Sequence, residues 1–152
     1  MGDVLSKEEV LALVPQQEPF RFIDEISELD DQHIVASYTF TPEHDFYRGH
    51  FPGNPITPGV ILTETMAQAG VVAFGIYLYA LETSREEVGK LLTVFTDANV
   101  EFTGTVKPGD RVETTGRIKF FRRRKLRASV EMKLDDGTVV CSGELSGMGV
   151  PL

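Results

Sequence analysis

Two side chains that can move protons lie near the middle of the chain. His50 belongs to the stretch GHFPG at residues 49–53, and Glu64 lies in the apolar segment that follows it. An imidazole and a carboxyl are sufficient for a reaction in which one proton is taken and another is given. The pattern therefore indicates acid–base chemistry if the fold brings the two groups to one site.

The carboxyl is predicted to lie on a helix among apolar residues. These apolar neighbours are Leu62, Met66, Val71 and Val72. Glu64 and Gln68 are four residues apart, so they share one face of the helix, and Gln68 can orient the carboxyl. Because desolvation favours the neutral form of a carboxyl, Glu64 is predicted to hold its proton more readily than an exposed glutamate and to serve as a general acid.

The start of the same helix offers backbone donors. Pro58-Gly59 precedes the apolar run, and the first N–H groups of a helix have no intrahelical partner. Glycine lets a ligand carbonyl approach closely, so the Gly59 amide is a candidate donor to a developing oxyanion. Glu64 follows at roughly 7–8 Å along the axis, given ~1.5 Å per residue. That separation fits a carbonyl at the helix start and a reacting carbon near the carboxyl.

Each of these residues also has a structural interpretation. A lone histidine in a loop rich in proline and glycine is more often a hydrogen-bonding group than a base, and we interpret His33 and His44 in that way. Glu64 has the alternative of an exposed position where the helix leaves the core. These residue types, taken one by one, do not decide the function.

The spacing of apolar residues predicts the elements that position these groups. Residues 42–59 hold four prolines and three glycines and are predicted to form a loop. The predicted order is helix, two strands, long helix and four strands, at residues 6–14, 20–26, 33–40, 60–81, 91–103, 110–122, 126–134 and 138–148.

The long helix determines the predicted architecture. A helix that is apolar on all sides cannot lie on the surface of a small domain. The antiparallel strands must wrap it, which predicts an α+β fold of the hot-dog type, with residues 1–152 as a single domain. A half-open sheet of this kind leaves an edge strand that needs cover, so we expect a homodimer.

Composition restricts the class of protein. The chain has 152 residues, one cysteine and a formal net charge of −8. A single cysteine excludes an intrachain disulfide, and the first twenty residues lack a secretory pattern, so a cytoplasmic location is expected. The negative charge argues against nucleic-acid binding. The uninterrupted apolar part of the long helix, residues 69–81, is shorter than the ~20 residues that cross a bilayer, so no membrane span is expected.

Basic residues are concentrated in one segment. Residues 117–127 hold seven of the fifteen lysines and arginines and no acidic residue. The densest part of this run is Arg122, Arg123, Arg124 and Lys125. Such a run is often a solvated strand face with its turn, and the alternative is a surface for an acidic partner. Both interpretations stay open from the residues themselves.

Taken together, these segments resemble the 3-hydroxyacyl-[acyl-carrier-protein] dehydratases of fatty acid synthesis, FabZ type. The likeness rests on residues 49–55, 58–60 and 64–69, and it extends to residues 13–24 and to Val106-Lys107-Pro108-Gly109-Asp110. It covers nearly the whole chain, and the combined motif is highly specific.

The resemblance implies a hot-dog dimer with an active site shared between subunits. His50 of one subunit and Glu64 of the other would be the catalytic pair, with Gly59, Gln68 and Phe51 binding the substrate. It also implies a 3-hydroxyacyl chain on acyl carrier protein as substrate, a homodimer or a trimer of dimers, and no metal or other cofactor. Related dehydratase–isomerases have aspartate on this helix, so Glu64 places the chain nearer the branch that only dehydrates.

The chain departs from the family pattern before the Pro-Gly-Asp turn. It has Glu101, Thr103 and Gly104 where the family is rich in arginine. Acyl carrier proteins are acidic, so docking is expected to move to the basic residues 122–125. The alternatives are a hot-dog acyl thioesterase or a non-catalytic acyl-binding subunit. The sequence leaves open the acyl chain length, the pathway (fatty acid, polyene or polyketide), the choice between carrier protein and coenzyme A, and the division of proton transfer between His50 and Glu64.

Overall fold

The computed structural model describes residues 2–152. Six β-strands form one sheet, and five α-helices accompany it. The helices are α1 (Lys7–Leu13), α2 (Phe46–Gly49), α3 (Gly59–Ala67), α4 (Phe74–Glu82) and α5 (Arg85–Val88). The strands are β1 (Glu25–Leu29), β2 (His33–Thr39), β3 (Leu91–Phe102), β4 (Arg111–Arg122), β5 (Lys125–Leu134) and β6 (Val139–Pro151).

The sheet is antiparallel throughout and has the order β1-β2-β4-β5-β6-β3. Tight turns join β4 to β5 and β5 to β6, so these strands form a meander. β3 precedes β4 in the chain but pairs with β6, which places it at one edge of the sheet. The predicted α+β architecture is confirmed.

A continuous helical segment, Gly59–Glu82, fills the concave side of the sheet, and we call it the central helix. Its length and hydropathy would allow it to cross a membrane, but 67% of its most apolar stretch is buried within the domain. It therefore serves as the core element. A Cβ on Gly70 would lie only 2.7 Å from Val130 Cγ1, so glycine lets the helix approach the sheet closely.

The central helix contains one irregularity that the apolar pattern did not predict. Between α3 and α4, residues Gln68–Ala73 form a π-helical turn, with hydrogen bonds that span five residues. Such a turn inserts an extra residue and changes which side chains share a face. π-turns are frequent at functional sites, and this one begins at Gln68, directly after the turn that carries Glu64.

Two sequence-based boundaries were wrong. Residues 20–24 were predicted as the start of a strand, but β1 begins at Glu25, because Phe20 and Phe22 hydrogen-bond to the Gln68 side chain instead of a neighbouring strand. The predicted loop at residues 42–59 contains the short helix α2. β2 is buried on both faces over most of its length.

Candidate active site

Glu64 lies on α3 and is partly buried. Burial raises the pKa of Glu64, and a hydrogen bond from Gln68 lowers this pKa by a smaller amount. That bond runs from Gln68 Nε2 to Glu64 Oε2 at 2.9 Å, and it engages one of the two carboxyl oxygens. The predicted desolvation of this carboxyl is confirmed, and such a group keeps its proton to higher pH than an exposed glutamate.

Gln68 is fully buried, and both its amide nitrogen and its amide oxygen are hydrogen-bonded. Its Oε1 accepts from the Phe22 amide at 2.7 Å, while its Nε2 donates to the Phe20 carbonyl at 2.8 Å and to Glu64. These partners fix which end of the amide is oxygen. The side chain therefore ties the segment before β1 to the central helix and holds the Glu64 carboxyl in one orientation.

A half-open pocket with about 30 Å³ of space for water-sized groups lies beside Glu64, between the central helix and β3. Its polar lining residues are Gln16, Glu64 and Thr93, and its apolar ones are Ala67, Val71, Val72, Val94 and Phe95. A space of this size accommodates a group about as large as a water molecule.

An apolar groove continues from this cavity. The two spaces share Val71 and Thr93. The groove runs along α4 and the ends of β3 and β6, lined by residues that include Ile76, Tyr79, Leu91, Leu126 and Arg124. A ligand with a polar head and a hydrocarbon tail would fit this combination, the head at Glu64 and the tail in the groove.

His50 follows α2 and is held by its own loop. Its Nδ1 is 2.9 Å from the Ile56 carbonyl oxygen. A carbonyl oxygen only accepts hydrogen bonds, so Nδ1 carries the hydrogen, and in the neutral ring the lone pair is on Nε2. This is the tautomer that a base requires. The cavity beside Glu64 is not lined by His50 of the same chain, and no hydrogen bond within residues 2–152 joins the two side chains.

Phe51 has an unusual backbone conformation beside His50. Its φ is 65°, which is strained for a bulky residue, and its ring is 56% exposed. The ring centroids of His50 and Phe51 are 4.4 Å apart. Strained backbone is concentrated at functional sites. The loop thus presents an aromatic ring and an imidazole together at the surface, and it does not place Phe51 next to Glu64.

Gly59 begins α3 as predicted. The Ile61 amide already donates to the Pro58 carbonyl, whereas the amides of Gly59 and Val60 have no acceptor in the part of the chain that the structure describes. A Cβ on Gly59 would lie 3.2 Å from the Phe102 ring, so the absence of a side chain lets β3 close over the helix start. The two free N–H groups are suitable donors for an oxygen with developing negative charge.

The other two histidines have structural partners. His44 Nε2 is 2.7 Å from the Tyr38 hydroxyl, and its ring stacks on Phe46. His33 lies between Glu28 and Asp30, and hydrogen bonding to Glu28 is the largest cause of its raised pKa.

The basic run contains ion-paired and free residues. Arg127 pairs with Asp97 and Glu144, and Lys119 pairs with Glu144. By contrast, residues 122–125 at the β4–β5 turn have no carboxylate within ion-pair distance in residues 2–152. The two turn residues, Arg123 and Arg124, have φ of 50° and 64°. Two arginines thus occupy positions that a hairpin usually gives to asparagine and glycine.

The structure adds residues that sequence reasoning missed. Gln16 and Thr93 line the cavity at Glu64, and Phe102 covers Gly59. No local motif marks them, because each reaches the site only through the packing of distant segments. Among residues 2–152 no group of three or more histidine, cysteine or acidic side chains has a metal-binding arrangement.

Comparison with solved structures identifies the fold. A dehydratase heterocomplex of Xenorhabdus doucetiae superimposes with a TM-score of 0.73 at 16% identity, covering 93% of this chain and 90% of that one. A mutant thioesterase of Pseudomonas aeruginosa superimposes with a TM-score of 0.69 at 16% identity, over 99% and 97% of the two chains. The chain therefore has the hot-dog fold, which both kinds of enzyme share.

Sequence comparison is more specific. Residues 14–144 match the model of the FabA-like domain. The 3-hydroxyacyl-[acyl-carrier-protein] dehydratase FabZ of Streptococcus pyogenes serotype M5 is 36% identical over 140 residues, which are 91% of this chain and 94% of that protein. The FabZ of Roseiflexus castenholzii is 36% identical over 143 residues, 93% of this chain and 94% of its own length. The chain belongs to the FabA-like family.

Proposed function

We propose that the protein removes water from 3-hydroxyacyl thioesters carried by acyl carrier protein and forms trans-2-enoyl thioesters. The observation that carries this proposal is the partly buried Glu64 carboxyl, which Gln68 holds beside a half-open pocket that shares lining residues with an apolar groove. The similarity to FabZ dehydratases over most of the chain supports the same reaction. The single cysteine favours a reducing, cytoplasmic location.

The reaction needs one base and one acid. The thioester carbonyl acidifies the C2 hydrogen, whereas hydroxide is a poor leaving group and departs as water. We assign His50 Nε2 to take the C2 proton and Glu64 to give its proton to the 3-hydroxyl oxygen. The C2–H electron pair forms the C2=C3 bond as the C3–O bond breaks. Proton exchange then returns Glu64 and His50 to their starting forms.

The Gly59 amide is suited to the thioester oxygen. Charge develops on that oxygen when the C2 proton leaves, and the free N–H groups at the start of α3 favour negative charge. An oxyanion donor contributes about 10²–10³-fold and acid–base transfer about 10²–10⁴-fold to the rate. These residues supply useful catalysis without a metal or other cofactor.

We further propose that the working site is composite, with His50 from one subunit and Glu64 from its partner. Within one chain, His50 is absent from the lining of the Glu64 cavity. Part of that lining is β3, a 12-residue strand at the sheet edge. A second copy that pairs with this edge would come close to Glu64, and its His50 loop would be the nearest external element with an imidazole.

The surface of β3 supports this assembly. Its exposed apolar side chains are Leu92, Val94, Phe95 and Phe102. A long, apolar edge strand tends to pair with another chain, and a homodimer would bury the edge of β3. The exposed Phe51 ring beside His50 is a second apolar group that an interface would bury.

Carrier-protein docking is proposed at the β4–β5 turn. Arg122, Arg123, Arg124 and Lys125 lack acidic partners among residues 2–152, so their positive charge is available to an acidic protein. Arg124 also lines the apolar groove that leads toward Glu64. The acyl chain of a docked carrier would therefore start near the groove.

An assay of products tests the activity. Purified protein given 3-hydroxyacyl carrier protein should form the conjugated enoyl thioester, with the thioester intact, both with and without a metal chelator. Release of free thiol would instead identify the thioesterase alternative. If neither product forms with substrates of several chain lengths, the result would favour the third alternative, a non-catalytic acyl-binding subunit.

Mixing of inactive variants tests the composite site. His50→Ala and Glu64→Gln chains, unfolded and refolded together, should form mixed dimers with one site that carries both substitutions and one that carries neither. Random pairing makes about half of the dimers mixed, so activity should recover to roughly a quarter of wild type. No recovery, with mixed dimers shown by mass spectrometry, would place both residues in one chain.

Charge reversal tests the docking surface. The triple variant Arg122→Glu, Arg123→Glu and Arg124→Glu should raise KM for a carrier-linked substrate and leave activity on a small thioester analogue nearly unchanged. Added salt should act in the same direction, because exposed charges are screened beyond about 8 Å. A control triple reversal of Lys7, Lys107 and Lys133 should have little effect. Equal loss on both substrates would assign the basic turn a structural role.

A further inference from the structure

Gly75 is a helical glycine that the packing of the chain does not explain. It is the second residue of α4, where glycine stabilises a helix less than alanine does. Its φ is not in the positive range that favours glycine. Apart from the backbone of its own helix, a Cβ added at Gly75 would have one neighbour within 4 Å among residues 2–152, Leu126 Cδ2 at 3.9 Å. The protein itself therefore has room for a side chain at this position.

Two other glycines of the apolar groove have a steric cause. A Cβ on Gly147 would overlap Val71 Cγ1, and a Cβ on Gly149 would lie tight against Leu91 Cδ1, at 3.0 Å. These two positions must stay small because a close-packed interior has no space for another carbon there. Gly75 has no such neighbour, so its missing side chain leaves space that the protein does not fill.

The unfilled space at Gly75 belongs to the groove. Gly75 and Leu126 both line the groove, so a side chain that extends from residue 75 toward Leu126 enters it. Val71 and Tyr79 line it as well, four residues before and after Gly75, a spacing that follows one face of a helix. Val71 also lines the pocket beside Glu64. Gly75 is thus a gap in the groove wall, farther along the central helix from Glu64 than Val71.

The gap lies far from the proposed reacting carbons. Gly75 comes 11 residues after Glu64, which is roughly 15 Å along the axis at ~1.5 Å per residue. A 3-hydroxybutyryl chain ends one methyl group beyond C3, so it stays beside Glu64. Only a long hydrocarbon tail that leaves C3 toward Val71 reaches Gly75.

We propose that Gly75 sets the length of the acyl chain that the protein accepts, an inference that rests on the proposed dehydration. The distal carbons of a long 3-hydroxyacyl chain occupy the space between α4 and β5 that a side chain at residue 75 would fill. Each buried methylene group contributes about fourfold to kcat/KM. The substrate class is therefore long-chain 3-hydroxyacyl thioesters, and the helix retains glycine at residue 75 because the tail needs the space.

The groove suits the acyl tail better than the arm of the carrier. Only Tyr79, Thr93 and Arg124 among its lining residues have polar side chains. The pantetheine arm that links an acyl chain to its carrier contains amide groups, and burial of an amide without a hydrogen-bond partner is unfavourable. A hydrocarbon tail needs no such partner, and its removal from water is favourable.

Substrates of different length test the role of Gly75. Wild type should dehydrate 3-hydroxyhexadecanoyl carrier protein. Gly75→Leu places four carbons in the groove and should lower kcat/KM for this substrate about 60–200-fold, the loss of three or four buried methylene groups. The kcat/KM for 3-hydroxybutyryl carrier protein should change by less than about twofold, because this chain does not reach residue 75.

Gly89→Leu is the matched control. Gly89 is exposed, has a φ of −64° and lies outside the groove, so this substitution should leave the ratio of the two kcat/KM values unchanged. Gly75→Ala covers the case in which Gly75→Leu does not fold. Its methyl group fits the space, so Tm should rise, because alanine favours a helix more than glycine does. The kcat/KM for the long substrate alone should fall about fourfold.

Three results would contradict the role of Gly75. Equal loss on both substrates would assign the groove to the carrier's arm, and an unchanged long-chain kcat/KM in Gly75→Leu would show that no part of the substrate lies there. A wild type that dehydrates the 3-hydroxybutyryl substrate but not the 3-hydroxyhexadecanoyl one would exclude the long-chain class. A wild type that forms no enoyl product from either substrate contradicts the proposed function instead, and the inference with it.

Discussion

Glu64 and His50 are the two proton-transfer candidates, and the protein holds them in opposite ways. Glu64 is on the central helix, partly buried, and hydrogen-bonded to a fully buried glutamine. His50 is in a surface loop, where one hydrogen bond to the Ile56 carbonyl sets its tautomer. The proposed acid is therefore positioned by the central helix and its buried glutamine, and the proposed base is positioned by its own loop.

The difference between support by the core and support by a loop predicts which substitutions affect folding. Gln68 joins the helix to the backbone of Phe20 and Phe22, so the acid shares its support with the fold. The His50 ring can be removed with little loss of packing, because only its loop depends on it. A substitution at His50 should therefore lower activity with little loss of stability, whereas a substitution at Gln68 should lower both.

The largest expected effect is on activity at the loop. His50→Ala should lower kcat by about 10²–10⁴-fold, because the base is lost, while the free energy of unfolding changes by no more than about 1 kcal/mol. Steady-state assays and urea unfolding measure the two quantities. His33→Ala is the control and should keep wild-type activity. Strong destabilisation by His50→Ala would contradict the view that the loop is independent of the core.

The next effect is on stability at the helix. Gln68→Leu should lower the free energy of unfolding by about 2–5 kcal/mol, because the Phe22 amide and the Phe20 carbonyl lose their buried partner at about 1–3 kcal/mol each. Chemical denaturation measures this change. Gln32→Leu, the same substitution at an exposed position, should change it by no more than about 0.5 kcal/mol. Similar changes in the free energy of unfolding for the two variants would show that the Gln68 hydrogen bonds do not stabilise the fold.

The smallest effect concerns pH. Burial raises the pKa of Glu64 above its unfolded value, so this residue contributes stability below the unfolded pKa and loses it as pH rises through the folded pKa. A glutamine side chain in its place cannot ionise. The Glu64→Gln variant should therefore gain Tm relative to wild type at about pH 8, with a smaller difference at about pH 4.

Thermal scans of wild type, Glu64→Gln and the exposed control Glu82→Gln across this range check the sign of that effect. The control should show no comparable trend. A difference between Glu64→Gln and wild type that stays constant with pH would mean that the Glu64 carboxyl is not shielded in the folded state.

Local features were predictable from the residues. The helix predicted at residues 6–14 is α1, which begins with reciprocal capping hydrogen bonds between Ser6 and Glu9 and ends before Pro15. The long helix was expected at 60–81 and runs from Gly59 to Glu82. These predictions rest on side chains and backbone groups a few residues apart, so residue type and spacing carry the information.

Features that join distant segments were not predictable. The Gln68 side chain, at the start of the π-turn Gln68–Ala73, bonds to the backbone of Phe22 and Phe20, 46 and 48 residues away, where strand structure had been predicted. The edge position of β3 depends on its pairing with β6 instead of its neighbour β4. Neither the Gln68 contacts nor the pairing of β3 with β6 can be recognised from a short stretch of sequence.

Residue types and spacing were enough to identify the candidate groups: a histidine in a glycine- and proline-rich loop, and a glutamate with a glutamine four residues later on an apolar helix. Spacing on one helix is enough for this, because the backbone geometry fixes which side chains share a face. The extent to which Glu64 is buried, and the presence of Gln16 and Thr93 in the lining of the same pocket, depend on the tertiary structure. Burial and cavity lining arise from segments far apart in the chain, and packing alone brings them together.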